Sequence, residues 1–183
     1  IEGSTVSEFP IIYYIASKMY GWFGFHDYYI RWLNYVIFFS AFLAVYFTSR
    51  IFIRDSFLAM IPSLLMMMSC VLVYYGSNYL PDAPALSFAL IGFYFISKYH
   101  IESQNSDFYV GTFFVVLASL LKISSALIFI SFIAFSIYQR IVLKNDSFNY
   151  KKILTLFLGL FILAGWVFYV KYYNQKGQYF GNL

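Results

Sequence analysis

Charge is scarce in this chain. Of 183 residues only 12 are Lys or Arg and 8 are Asp or Glu, 11% in all. A soluble domain carries roughly a quarter of its residues charged, so this composition excludes one. There is one cysteine, Cys70, so no disulfide or thiolate metal site can be built within the chain. No Gly-rich nucleotide loop, Walker pattern, HExxH pair or GxSxG elbow occurs, which removes the common soluble hydrolases and nucleotide-driven enzymes. The net charge of +4 includes no basic run dense enough to track phosphates, so no nucleic-acid partner is expected. Nor does any apolar run carry Arg, Asp or Glu at its centre, which speaks against a proton-relay transporter.

What remains is apolar and aromatic: 62% hydrophobic, 25% Phe, Trp or Tyr, with a mean hydropathy of +0.71. The apolar runs are nearly continuous. They predict an all-α, polytopic transmembrane helix bundle. Residues 10–25, interrupted by Lys18, Gly21 and Gly24 and rich in Tyr and Trp, read as a helix lying in the membrane interface. Spans follow at about 32–48, 56–75, 85–96 and 153–169. Between them, 108–139 holds 32 residues with a single charge, Lys122. As one helix it would be about 48 Å long, well over a hydrocarbon core of about 30 Å. Two helices turning at Lys122-Ile123-Ser124-Ser125 fit better, giving about six spans plus one interfacial helix. The chain then divides into an outer loop and interfacial helix (1–31), the spans (32–172) and an outer tail (173–183). It reads as a piece of a longer membrane protein.

Charge supports this topology. With a turn at Lys122, the loops bearing Arg50, Arg54, Lys98, Arg140, Lys144, Lys151 and Lys152 share one side, the cytoplasmic one by the positive-inside tendency. Glu8, Lys18, His26, Asp27, Asp82, Lys122 and Lys171 then face outward. Two motifs on that side place a carboxylate two residues before a proline at the mouth of an apolar run: Glu8-Phe9-Pro10 and Asp82-Ala83-Pro84. A carboxylate there is costly to desolvate and therefore either caps a helix or serves a site. An ionised Asp82 at a helix N-terminus is suited to bind a cation or a hydroxyl. Lys122 either snorkels to the headgroups or contacts a lipid-linked phosphate. Arg31 reads as an interface anchor, a partner of Asp27, or a substrate contact. His26 is a lone imidazole beside an aromatic belt, with metal ligation the alternative to a purely interfacial place. Tyr74, Tyr75 and Tyr79 read as belt residues, and Glu102 and Asp107 as solvated charges.

The stretch Glu8-Phe9-Pro10-Ile11-Ile12-Tyr13-Tyr14, followed by Gly24-Phe25-His26-Asp27 and Arg31, resembles the GT-C glycosyltransferases. It is closest in pattern to the branch holding the protein O-mannosyltransferases and the lipid A aminoarabinose transferase. Asp82-Ala83-Pro84 resembles the D-A-P motif that opens a later span there, and Leu121-Lys122-Ile123-Ser124 the lysine turn that follows. The resemblance implies transfer of a sugar from a polyprenyl-phosphate donor to a protein, lipid or glycan acceptor on the outer face of a bacterial cytoplasmic membrane. Membrane lipids would surround the apolar walls. It implies Asp82 and Glu8 as catalytic carboxylates and as the positions where a divalent metal ion would bind, with Lys122 and Arg31 as substrate contacts. Two departures stand out. Phe9 and Ile11 occupy the places of the Lys and second Pro in the E-K-P-P form, and the family's principal catalytic acid would lie ahead of Ile1. The alternatives are a non-enzymatic transporter or assembly subunit for lipid-linked sugars, and a structural subunit in which both acid-x-Pro motifs only cap helices.

Overall fold

The computed structural model describes residues 8–141 and 149–180, and every regular element among them is helical. The expected N-terminal polar residues 1–7, Lys144 of the basic loop and the end of the tail lie outside the described residues. Helix α1 spans Ile11–Phe23 and stops at Gly24, whose φ of 84° is open to glycine and strained for other residues. Helix α2 is Tyr28–Phe52. Asp55 then caps α3 (Ser56–Met68), its carboxylate accepting from the backbone N–H of Phe57 at 2.8 Å and Leu58 at 3.0 Å. Pro62 has already removed one ladder bond from α3. The chain breaks at Ser69 with a 71° bend, and Ser69 caps the short α4 (Cys70–Gly76). Helices α5 (Asp82–Glu102) and α6 (Asn105–Leu121) form a close hairpin. A 3-10 turn (Ile123–Ser125), α7 (Ala126–Ile141) and α8 (Tyr150–Phe180) follow.

The turn expected at Lys122 is present: Lys122 is extended (φ −144°, ψ 120°) between α6 and the 3-10 turn. The chain folds back there, because Phe108 near the start of α6 meets Phe132 in α7 with ring centroids 5.6 Å apart. The count of six spans is not reached by length and composition. Among the described residues three helices are long and apolar enough, Tyr28–Phe52, Ile123–Ile141 and Tyr150–Gln175, or four if the bent α3–α4 pair is one span. Helix α6, with 17 residues, measures about 26 Å, short of a bilayer core. Helix α5 is long, but its ends carry Asp82, Lys98, His100 and Glu102, which lower its hydropathy.

The loop expected over 98–107 is also shorter than its polarity indicated. Helix α5 continues to Glu102, and left-handed Ser103 (φ 56°) turns the chain into α6. Lys98 holds this hairpin, reaching Glu102 at 3.6 Å and Asp107 at 3.3 Å. Asp107 is therefore buried rather than solvated.

Helix α5 packs between α2 and α6, and α8 leans on α6. The α5–α6 contact is set by Gly92 and Gly111. A Cβ on Gly92 would sit 2.5 Å from Val115 Cγ2, and one on Gly111 2.8 Å from Ile96 Cγ1. Small residues let two backbones approach where hydrophobic sorting gives helices little reason to associate. One buried cluster gathers Tyr99, Phe108, Val115, Phe129 and Leu156 toward one end of the bundle. A second gathers Ile12, Ala16, Ile30, Ala85 and Leu121 toward the other, tying α1, α2, α5 and α6 together. The residues singled out by sequence lie at this second end.

Candidate active site

Asp82 is the first residue of α5 and Lys122 directly follows α6. Because α5 and α6 are antiparallel and locked at Gly92–Gly111, these positions meet, and the Lys122 ammonium pairs with Asp82 Oδ1. Pro81, not Asp82, occupies the N-cap position of α5, and Asp82 makes no capping hydrogen bond. The reading of Asp82 as a helix cap is thereby corrected: its carboxylate is turned to Lys122. The pair is open to ligands, with side-chain exposures of 34% for Asp82 and 45% for Lys122.

Glu8 is brought to the same place. The Phe9 N–H donates to the carbonyl of Leu120 at 3.3 Å, so Glu8-Phe9 runs beside the end of α6, next to Lys122. Pro10 occupies the N-cap position of α1 without a side-chain hydrogen bond, so Glu8 does not cap that helix. The Phe9 ring meets Trp166 of α8 edge-on at 5.0 Å, which brings α8 to the same corner. Burial, and then the charge of Glu8, push the Tyr13 phenol above its ordinary pKa.

Arg31, in the first turn of α2, is at this end as well; its hydrogen-bond partner is Tyr79, and Asp27 acts on it only through its charge. Its Nε donates to the Tyr79 hydroxyl at 3.2 Å, and the guanidinium lies 5.0 Å from the Tyr79 ring centroid. Tyr79, expected in the aromatic belt, is thus part of the site's scaffold. His26 stacks on Tyr28 with centroids 5.4 Å apart. Among the described residues no group of three or more His, Cys, Asp or Glu side chains gathers. With Asp82 already neutralised by Lys122, the described donor set does not fit a divalent ion at Glu8 and Asp82. At most two carboxylates are on offer, and an ammonium occupies one of them.

Below the ion pair, an apolar groove of about 730 Å3 runs between α5 and α7. Leu86, Leu90, Phe93 and Ser97 line its α5 wall, one helical stripe that continues down from Asp82. Leu127 and Ile128 begin its α7 wall just after the Lys122 turn, and His100 and Gln139 stand at its far end. The ion pair itself does not line the groove; the groove begins at Leu86 and Leu127, about one helical turn further along α5 and α7.

The sequence profile described as dolichyl-phosphate-mannose-protein mannosyltransferase matches residues 7–169, a stretch that takes in Glu8, Arg31, Asp82 and Lys122. The chain belongs to that family. It is a membrane glycosyltransferase of the GT-C type. No curated protein and no solved structure matched the chain.

The sequence did not single out Tyr13, Asn34 or Asn78, which hold the chain ahead of Asp82. Lys152, expected as a charge of the basic loop, is instead buried in the first turn of α8 at the opposite end, where its Nζ donates to the Tyr99 hydroxyl at 2.7 Å and lies 4.5 Å from that ring's centroid.

Proposed function

We propose that this protein moves a sugar from a polyprenyl-phosphate donor to an acceptor hydroxyl on the outer face of a bacterial cytoplasmic membrane. The observation that carries the donor class is the α5–α7 groove, which starts one helical turn from Asp82 and descends along the bundle. A polyprenyl tail lies in it, with its phosphate at the mouth beside Lys122. Arg31 contributes a second cation at the same end, so the phosphate's charge is met where it grows as the sugar departs.

In the transfer, the acceptor oxygen attacks the anomeric carbon, the bond from that carbon to the phosphate oxygen breaks, and polyprenyl phosphate leaves. The acceptor's proton must go to a base. Glu8 makes no ion pair among the described residues, and Asp82 is released as the donor phosphate draws Lys122 away. The two carboxylates then divide the work of orienting the hydroxyl and accepting its proton. The basic loops at the other end of the bundle support an outer-face site through the positive-inside tendency.

The test uses the full-length protein in liposomes with mannosyl and other hexosyl polyprenyl phosphates of long and short (farnesyl) chain, reading released polyprenyl phosphate. Long-chain donors are expected to be preferred. Leu90→Trp, which fills the groove, should raise KM for the long donor by roughly tenfold and leave the short donor nearly unchanged. Absence of transfer from every polyprenyl-phosphate sugar, or indifference to chain length, would remove the donor class.

A further inference from the structure

The segment leading into Asp82 is staked from three sides, and every stake passes through two consecutive residues. The Tyr79 carbonyl accepts from the Tyr13 hydroxyl of α1 at 3.2 Å. The Tyr79 hydroxyl accepts from Arg31 Nε of α2 at 3.2 Å and donates to the Asp27 carbonyl at 3.5 Å. The Tyr79 N–H donates to Asn78 Oδ1 at 2.8 Å. The Asn78 carbonyl accepts from Asn34 Nδ2 at 2.6 Å, and Asn34 is fully buried in α2. A buried amide group committed to one backbone carbonyl is a costly feature to keep unless it fixes something.

We infer that Tyr79 is a positioning residue of the transferase site, holding the Arg31 guanidinium in a fixed pose while anchoring the loop that delivers Asp82. The geometry separates two jobs. The backbone of Tyr79, with Asn78, ties the loop to α1 and α2. The side chain acts chiefly on Arg31: its hydroxyl takes Nε, its ring centroid lies 5.0 Å from the guanidinium carbon, and its one other bond is the long one to the Asp27 carbonyl. With Nε engaged, the two terminal nitrogens of Arg31 are left to face an anion as a pair, which suits a phosphate oxyanion. An arginine pre-oriented in this way loses less side-chain entropy on binding than one free to rotate. The inference rests on the donor-phosphate reading above and adds to it the residue that sets the direction of the cation.

Tyr79→Phe deletes the hydroxyl, and with it the long 3.5 Å bond to the Asp27 carbonyl, but keeps the ring and the shorter stakes through Tyr13, Asn34 and Asn78, so the loop stays in place. In the full-length protein with long-chain polyprenyl-phosphate sugar, this variant should raise donor KM by roughly tenfold with kcat within about twofold. In an Arg31→Gln background the same substitution should have no further effect on KM, because the two residues act as one unit. A readout independent of catalysis is phenylglyoxal labelling of Arg31, followed by mass spectrometry. Labelling should speed up several-fold in Tyr79→Phe, since the released guanidinium is freer to react. A KM effect that persists undiminished in the Arg31→Gln background overturns the inference, as does Arg31 labelling unchanged by Tyr79→Phe. If labelling rises while donor KM stays put, Tyr79 does orient Arg31 but the donor-phosphate role of Arg31 fails. The two failures are thus told apart.

Discussion

Replacing Asp82 with Asn separates chemistry from stability at one atom. The Asp82–Lys122 pair is 34% and 45% exposed, and an ion pair in that setting contributes on the order of 0–1 kcal/mol once solvent screening is counted. Asp82 caps no helix, so the substitution removes no capping bond either. The expected stability loss is below about 1 kcal/mol, a fall in Tm of at most roughly 2–4 °C for a chain of this size. The expected loss of activity is much larger, on the order of 100-fold, because a carboxylate that orients or deprotonates the acceptor hydroxyl typically contributes that much. The assay pairs sugar transfer by the full-length protein in liposomes with thermal unfolding of the same preparation. A charge swap, Asp82→Lys with Lys122→Asp, sharpens the result: it rebuilds the ion pair and should leave activity lost. An Asp82→Asn protein that keeps more than about half its activity would refute the role given to this carboxylate. Recovery of activity in the swap would show that only the pairing matters.

Three further outcomes follow from the same geometry. Gly92→Ala or Gly111→Ala forces a Cβ to 2.5 or 2.8 Å from its neighbour, and should cost about 1–3 kcal/mol by overpacking, read as a lowered Tm. Both variants should also reduce transfer, because α5 and α6 carry Asp82 and Lys122; unchanged Tm in both would mean the crossing is looser than described. Lys152→Ala leaves the Tyr99 hydroxyl and two aromatic faces without their cation and should lower stability by roughly 2–4 kcal/mol, with Lys152→Met losing less because it keeps the volume. Glu8→Gln should lower kcat by at least roughly tenfold with little change in Tm, since Glu8 makes no cap in the structure.

Much of this site was legible in the sequence because charge is expensive in an apolar chain. With so few carboxylates, the two acid-x-Pro motifs stood out, and the single lysine within 108–139 marked a turn. The structure brings Glu8, Asp82, Lys122 and Arg31 to one end of the bundle, as the topology required. What escaped was anything decided by side-chain direction. Tyr79 carries the same letter as Tyr74 and Tyr75, which are exposed on α4, and no spacing distinguishes it. Asp107 looked solvated because its neighbours in sequence are polar, but Lys98, one turn back from the end of α5, buries it. The break at Ser69 was hidden by an unbroken apolar run, since a capping serine within such a run carries no compositional signal.

Helices α5 and α6 explain why a site made of scattered residues can hold its shape. Each charged group at the mouth is set at the end of an element whose position is fixed elsewhere: Asp82 and Lys122 by the Gly92–Gly111 crossing, Arg31 by α2 packed on α5, Glu8 by the Leu120 carbonyl. At the far end of the same hairpin, Lys98 ties α5 to Asp107 of α6. The α5–α6 pair is therefore clamped at its middle and at both ends, and the two outer clamps are ionic. They differ in exposure: Asp107 is buried, whereas Asp82 and Lys122 are open. A buried pair resists exchange with a competing ion, while an open one yields to it. The clamp far from the groove mouth is thus built to stay shut, and the clamp at the mouth is the one a phosphate can open.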